Sequence, residues 1–190
     1  MNIELRTDSV IIEGYVNAVE RESKVLKSQL GDFVEVIKSN AFKRSLQRNP
    51  NVDLLLNHDT NKKLGSTREG NLELYEDNIG LKAKCEIRDS FVISKARNNQ
   101  LRGWSFGFIS KDDTVDALTT PKKRYVNDLD LFEVSIIDDR AIPAYTANSI
   151  EMREGKEYLK EVRTFDFEKS SRDINCDKYK KILEELRSEK

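Results

Sequence analysis

Alternation of apolar and polar residues with period two runs through most of the first 140 positions and predicts a strand-rich body. Ser9–Val19 (SVIIEGYVNAV) is dense in β-branched residues, with Gly14 as a bend or bulge. In DFVEVI, Phe33, Glu35 and Ile37 share one face, and Val34 and Val36 share the other. The run VDLLLN predicts a strand that delivers His58 on the face of Val52, Leu54 and Leu56. GSTREG, LELYED and GLKAKCEI read as a meander, with turns at Gly70-Asn71 and Asn78-Ile79-Gly80. WSFGFISK and LDLFEVSIID predict two more strands, and DDTVDALTTPKK between them reads as a mobile loop. Two stretches break the period. SNAFKRSLQRN predicts a short helix capped by Ser39 or Asn40, with Pro50 just past its end, and DSFVISKARNNQL predicts another capped by Asp89 or Ser90. The expected class is α+β, mostly β: an antiparallel, barrel-like sheet flanked by short helices.

Charge redraws the end of the chain. Of 67 charged residues, 22 lie in the last 40 positions, 11 basic and 11 acidic. The expected organisation is a folded body over residues 1–150 and a charged arm over 151–190. Within the arm, Tyr179, Ile182, Leu183 and Leu186 fall at helical spacing and predict a narrow apolar stripe. That stripe suits docking on the body, on a partner or on a second copy. The whole chain has a formal net charge of only -1, so no nucleic acid or acidic membrane is expected as a partner. No apolar run approaches the roughly 20 residues of a membrane span, and the first residues lack the apolar centre of a signal peptide. Cys85 and Cys176 have neither metal-ligand spacing nor a disulfide framework, which suits a reducing cytoplasm. No cofactor or metal is expected.

The candidate chemistry starts from scarcity. His58 is the only histidine, placed where a strand leaves the core. GWSFG, Gly103–Gly107, has the spacing of a nucleophile elbow, but an elbow continues into a helix, and Ser105 is followed by the strand-like FGFISK. The α/β-hydrolase order also places His last, whereas His58 precedes Ser105. A serine on a strand can still act as a nucleophile. Ser105 shares its face with Gly107, whose missing side chain leaves room for a substrate backbone. A serine hydroxyl needs a base, and His58 is the only imidazole available. The third group is expected to be Glu133, a carboxylate on a strand face with Leu131, Ser135 and Ile137. Such an acid is costly unless paired, with His58 or with an arginine such as Arg102 or Arg140. Asp59 and Asp138 are the next acids to consider. A cysteine hydrolase built on Cys85 is disfavoured, because Cys85 shares its face with Leu81, Ala83 and Ile87 and reads as a buried, inert thiol.

From about Val10 to Asn148 these blocks resemble the prohead serine proteases of tailed phages. The blocks are GYVNAVE, FVEVIKSNAFKRSL, LLLNHD with LGST, GLKAKCEI, LRGWSFGF and LFEVSIIDDRAIPAYTAN. One departure is IKSNAF, where many relatives carry a proline-glycine before the AF. The resemblance implies a fold similar to the herpesvirus assemblin proteases, a β-barrel wrapped by helices. It implies His58 as base, Ser105 as nucleophile and Glu133 as third member. Related proteases use a second histidine in that last place, and this chain has none, so the alternative is a Ser105–His58 dyad. It further implies an enzyme inside the procapsid, in the host cytoplasm. Its partners would be the major capsid protein and scaffold as substrates and further copies of itself, with the arm self-cleaved or scaffold-binding. The alternative is a non-catalytic scaffold or assembly module that keeps the fold.

Overall fold

The computed structural model describes residues 1–26, 31–140, 148–153 and 156–165, with side chains in the last two stretches described at Glu161 and Arg163 only. In chain order the elements are β1 (Asn2–Leu5), β2 (Val10–Ala18), β3 (Phe33–Ile37), α1 (Ala41–Arg48), β4 (Asp53–Leu56), β5 (Asp59–Ser66), β6 (Leu72–Glu76) and β7 (Gly80–Ile87). They continue with α2 (Ser90–Arg97), β8 (Leu101–Asp116), β9 (Lys122–Asp138), β10 (Asn148–Arg153) and β11 (Lys156–Phe165). The expected stripe at Tyr179, Ile182, Leu183 and Leu186 lies outside the described residues.

The molecule is mostly β, but the expected barrel is not there. Among the described residues the strands form two open sheets, one ordered β1-β2-β7-β6 and one ordered β10-β11-β8-β9-β4-β5, with β3 also on β9. A barrel needs its edge strands to pair with each other. Here both β3 and β4 lie parallel along one edge of β9, β3 against Lys122–Val126 and β4 against Glu133–Ile136. The larger sheet is therefore mixed. The two sheets share one apolar core instead of closing, with Val10, Ile12, Leu81 and Ile87 from one and Trp104, Phe106, Phe108, Val134 and Ile136 from the other. Each such side chain contributes about 1.5–3 kcal/mol by leaving water.

β9 is the spine of the larger sheet. Its other edge pairs antiparallel with β8 from Leu101↔Asp138 to Asp116↔Lys123. The expected mobile loop is thus mostly strand, and only residues 117–121 lie between β8 and β9. Its sequence hides this because the hairpin's far end is exposed on both faces and held by polar pairs such as Arg124 with Asp113. The expected meander is also corrected: Gly65 and Ser66 end β5, which pairs with β4 and leaves only β6 and β7 as neighbours in the smaller sheet.

Both expected helices form. Asp89 caps α2, its Oδ1 accepting from Val92 N at 2.9 Å. At α1 neither expected side chain caps. Asn40 occupies the N-cap position with φ 68° and makes no side-chain cap bond. The Glu76 carboxylate of β6 accepts from Asn40 N at 2.6 Å and Lys43 N at 2.7 Å in its place. This tertiary cap seats Phe42 edge-on against Phe106, ring centroids 5.4 Å apart, directly behind Ser105 in the sheet.

Candidate active site

His58 does not sit on a strand. Leu56 pairs with Asp59, so Asn57 and His58 form a two-residue hairpin turn with φ 54° and 61°. Tight hairpins need positive φ at both positions, which asparagine tolerates and histidine adopts at some cost. Four hydrogen bonds hold the strained turn. Asn57 Nδ2 donates to Asp138 Oδ1 at 2.8 Å, Asp138 N donates to Asn57 Oδ1 at 2.9 Å, and Asn57 N donates to Ile136 O at 2.9 Å. His58 N donates to Ser135 Oγ at 3.2 Å. The turn thereby throws the imidazole across β9 toward β8.

Ser105 and Ser135 are directly opposite on β8 and β9, and Gly107 is opposite Glu133. Between Glu133 and Leu131 the register slips by one residue, so Phe132 is an extra residue on β9. This bulge corrects the expected shared face of Leu131 and Glu133. Leu131 pairs with Phe108 in the core, whereas Glu133 pairs with Gly107 on the side of Ser105. The expected gap at Gly107 is likewise filled from within: a Cβ there would lie 2.5 Å from Glu133 Oε1 and 2.6 Å from the Phe132 ring.

The structure brings the three expected residues together. His58 Nε2 lies 2.6 Å from Ser105 Oγ, and His58 Nδ1 lies 2.6 Å from Glu133 Oε1. Glu133 is 2 % exposed and Ser105 fully buried, while the imidazole keeps about a fifth of its surface open. The other carboxylate oxygen, Glu133 Oε2, accepts from Ser135 Oγ at 2.7 Å. Ser135 carries little signal in the sequence, only a small polar residue two positions after an acid on an apolar strand.

The other acids and bases have different work. Asp59 Oδ1 accepts from Asn61 N at 2.9 Å. Burial pushes the Asp138 carboxyl up, but the Asn57 amide and the Arg140 N–H and guanidinium outweigh burial and leave it below the usual aspartate value. Arg140 thus pairs with Asp138 at 2.8 Å rather than with Glu133, and Arg102 is exposed. The Cys85 thiol is buried and donates to Ile12 O at 3.7 Å, and burial pushes its pKa up to about 12, too high for a nucleophile at neutral pH.

A carboxylate, an imidazole and a hydroxyl in hydrogen-bonded series are suited to activate the hydroxyl for attack on a carbonyl. A carbonyl is present. β11 pairs with β8 through this position, Thr164 opposite Ser105, and Arg163 O lies 2.5 Å from Ser105 Oγ, a second acceptor that competes with His58 Nε2 for the single hydroxyl proton.

Residues 1–161 match the family model of the caudovirus prohead serine proteases. The chain belongs to that family. Membership makes it a serine peptidase of phage prohead maturation, with capsid proteins as the substrates that the family implies. No curated protein and no solved structure matches the protease significantly. The matched span holds His58, Ser105 and Glu133, and it ends within β11.

Proposed function

We propose that the protease is an endopeptidase that cuts scaffold and the major capsid protein inside the procapsid, with Ser105 as nucleophile, His58 as base and Glu133 as the acid that orients it. The observation that carries this reading is the unbroken series Glu133–His58–Ser105, with both links at 2.6 Å. Glu133 accepts the proton-bearing Nδ1–H and so leaves Nε2 free to take the Ser105 proton. As Oγ attacks a peptide carbonyl, the imidazolium that forms is stabilised by the buried carboxylate. His58 then returns the proton to the leaving amine, and a water repeats the cycle on the acyl-enzyme. Residues 1–150 act as the catalytic body and 151–190 as an arm that is self-cleaved or binds scaffold. The enzyme works as a homo-oligomer, without nucleic acid or membrane.

The test is processing of the phage's own capsid protein by purified enzyme. Wild type should cut it, and Ser105→Ala should lose several orders of magnitude in rate while keeping its melting temperature. Processing by Ser105→Ala at the wild-type rate would return the chain to a non-catalytic assembly role.

A further inference from the structure

β11 meets the body in two ways at once. Its main chain reaches the serine: Arg163 O lies 2.5 Å from Ser105 Oγ, so attack requires the carbonyl to turn its carbon toward Oγ and the hydroxyl proton to point to His58 Nε2. Its side chains Glu161 and Arg163, two residues apart and so on one side of the strand, enter a buried charged pocket. The body supplies that pocket with Glu35 of β3 and Arg124 of β9, joined at 3.1 Å, and Arg124 also pairs with the exposed Asp113 of β8. Arg163 Nε donates to Glu35 Oε1 at 2.7 Å and its Nη2 to Glu35 Oε2 at 2.9 Å, a two-pronged pair. Arg124 Nη2 donates to Glu161 Oε1 at 2.8 Å, and its Nη1 also reaches Glu161 Oε2. The Arg163 guanidinium lies 5.3 Å from the Phe108 ring centroid.

Glu35 is 3 % exposed in an otherwise apolar strand, and such an acid is expensive without a cation opposite it. Glu35 and Arg124 together are complementary to a strand that offers a glutamate, any residue, then an arginine. Ser105 is fully buried under the present pairing, so a substrate strand cannot reach it while β11 holds that edge of β8.

We propose that the outer edge of β8 is the position where substrates dock as an added strand, that Glu35 and Arg124 read an arginine at the scissile residue and a glutamate two residues before it, and that β11 is the enzyme's first substrate, cut between Arg163 and Thr164. This rests on Ser105 being the nucleophile. Ser105 Oγ bonds to the Arg163 carbonyl carbon and gives its proton to His58. The bond to the Thr164 nitrogen breaks, and that nitrogen takes the proton and leaves as a free amine. Water then cleaves the ester, restoring the Ser105 hydroxyl and leaving Arg163 as a carboxylate terminus. Docking by strand addition supplies main-chain hydrogen bonds common to any sequence, and the charged pocket supplies selectivity. Arginine is preferred over lysine because only a guanidinium meets both Glu35 oxygens.

The test follows the full 190-residue chain by intact mass and by sequencing the released fragment. The expected result is a body ending at Arg163 and a fragment beginning at Thr164, with neither formed by Ser105→Ala. Arg163→Gln should slow the cut at least about tenfold, as expected for loss of a charged pair, and Arg163→Lys should fall between. Since Glu35→Gln can unfold the body, a second measurement uses the wild-type enzyme and two peptides spanning residues 157–168, natural and Arg163→Gln. The natural peptide should be cut at least about tenfold faster. A Ser105-dependent cut elsewhere, equal rates for the two peptides, or a chain that cuts neither itself nor the peptides overturns the assignment of β11 and the pocket. Capsid-protein processing that depends on Ser105 would still stand in each of those cases, so the two proposals fail separately.

Discussion

Gly107 and Glu133 share one volume: the carboxylate occupies the place where a residue with a side chain at 107 would put its Cβ, 2.5 Å from Oε1. The acid reaches His58 only because its cross-strand neighbour has no side chain. Gly107→Ala should push Glu133 or the Phe132 ring aside. A displacement near 1 Å costs on the order of 100-fold in rate, and overpacking costs about 1–3 kcal/mol. Turnover and thermal melting measured side by side would check this. A Gly107→Ala enzyme with unchanged turnover would mean that the acid is not held by this fit.

Glu133→Gln keeps the shape but presents an amide that can donate to Nδ1, favouring the tautomer with the proton on the wrong nitrogen. Turnover should fall by roughly two to four orders of magnitude with little loss of stability, by comparison with the acid of the Ser-His-Asp triad. Single-turnover kinetics on a capsid-derived peptide would measure it. A loss below about fivefold would favour a Ser105–His58 dyad, since removing a triad's acid costs far more.

Ser135→Ala removes the donor to Glu133 Oε2 and the acceptor of the His58 N–H together. An orphaned buried donor costs about 1–3 kcal/mol. The melting temperature should drop accordingly, and the rate should fall less than in Glu133→Gln, because the link between Glu133 and His58 survives. Ser135→Thr keeps the hydroxyl and should recover part of both.

Asp138 gives acid sensitivity a named source. Its carboxyl lies below the ordinary value of 3.8 in the folded protein, so it stabilises the fold fully above that value. The contribution is lost as the pH falls through the folded-state value, when protonation loosens the Asn57 turn that carries His58. Asp138→Asn should lower stability at neutral pH and flatten the stability curve between about pH 2 and 5. Chemical denaturation across that range reads the difference directly.

Most of the strands, and all three residues of the candidate site, were legible in the sequence. His58 stood out because it is the sole imidazole, Ser105 because it lies between glycines on a strand, and Glu133 because a carboxylate interrupts an apolar run. What was hidden depends on partners distant in sequence. Nothing in NHD says that Asn57 and His58 form a left-handed turn until Asp138 clamps it. The bulge at Phe132 leaves no mark on an alternating pattern, yet it decides which face Glu133 takes. The α1 cap comes from Glu76, 36 residues after the Asn40 N–H it accepts from. The far half of the β8–β9 hairpin reads as loop because its pairing is polar.

The order of the elements along the chain also sets a clock. His58, Ser105 and Glu133 are all present once β9 has been made, and the strand that lies over Ser105 comes later, with 25 residues from Asp138 to Arg163. A ribosome adds about 5–20 residues per second, so the interval between completing the site and covering it is roughly 1–5 s. The newborn enzyme passes through its uncovered state only for that moment.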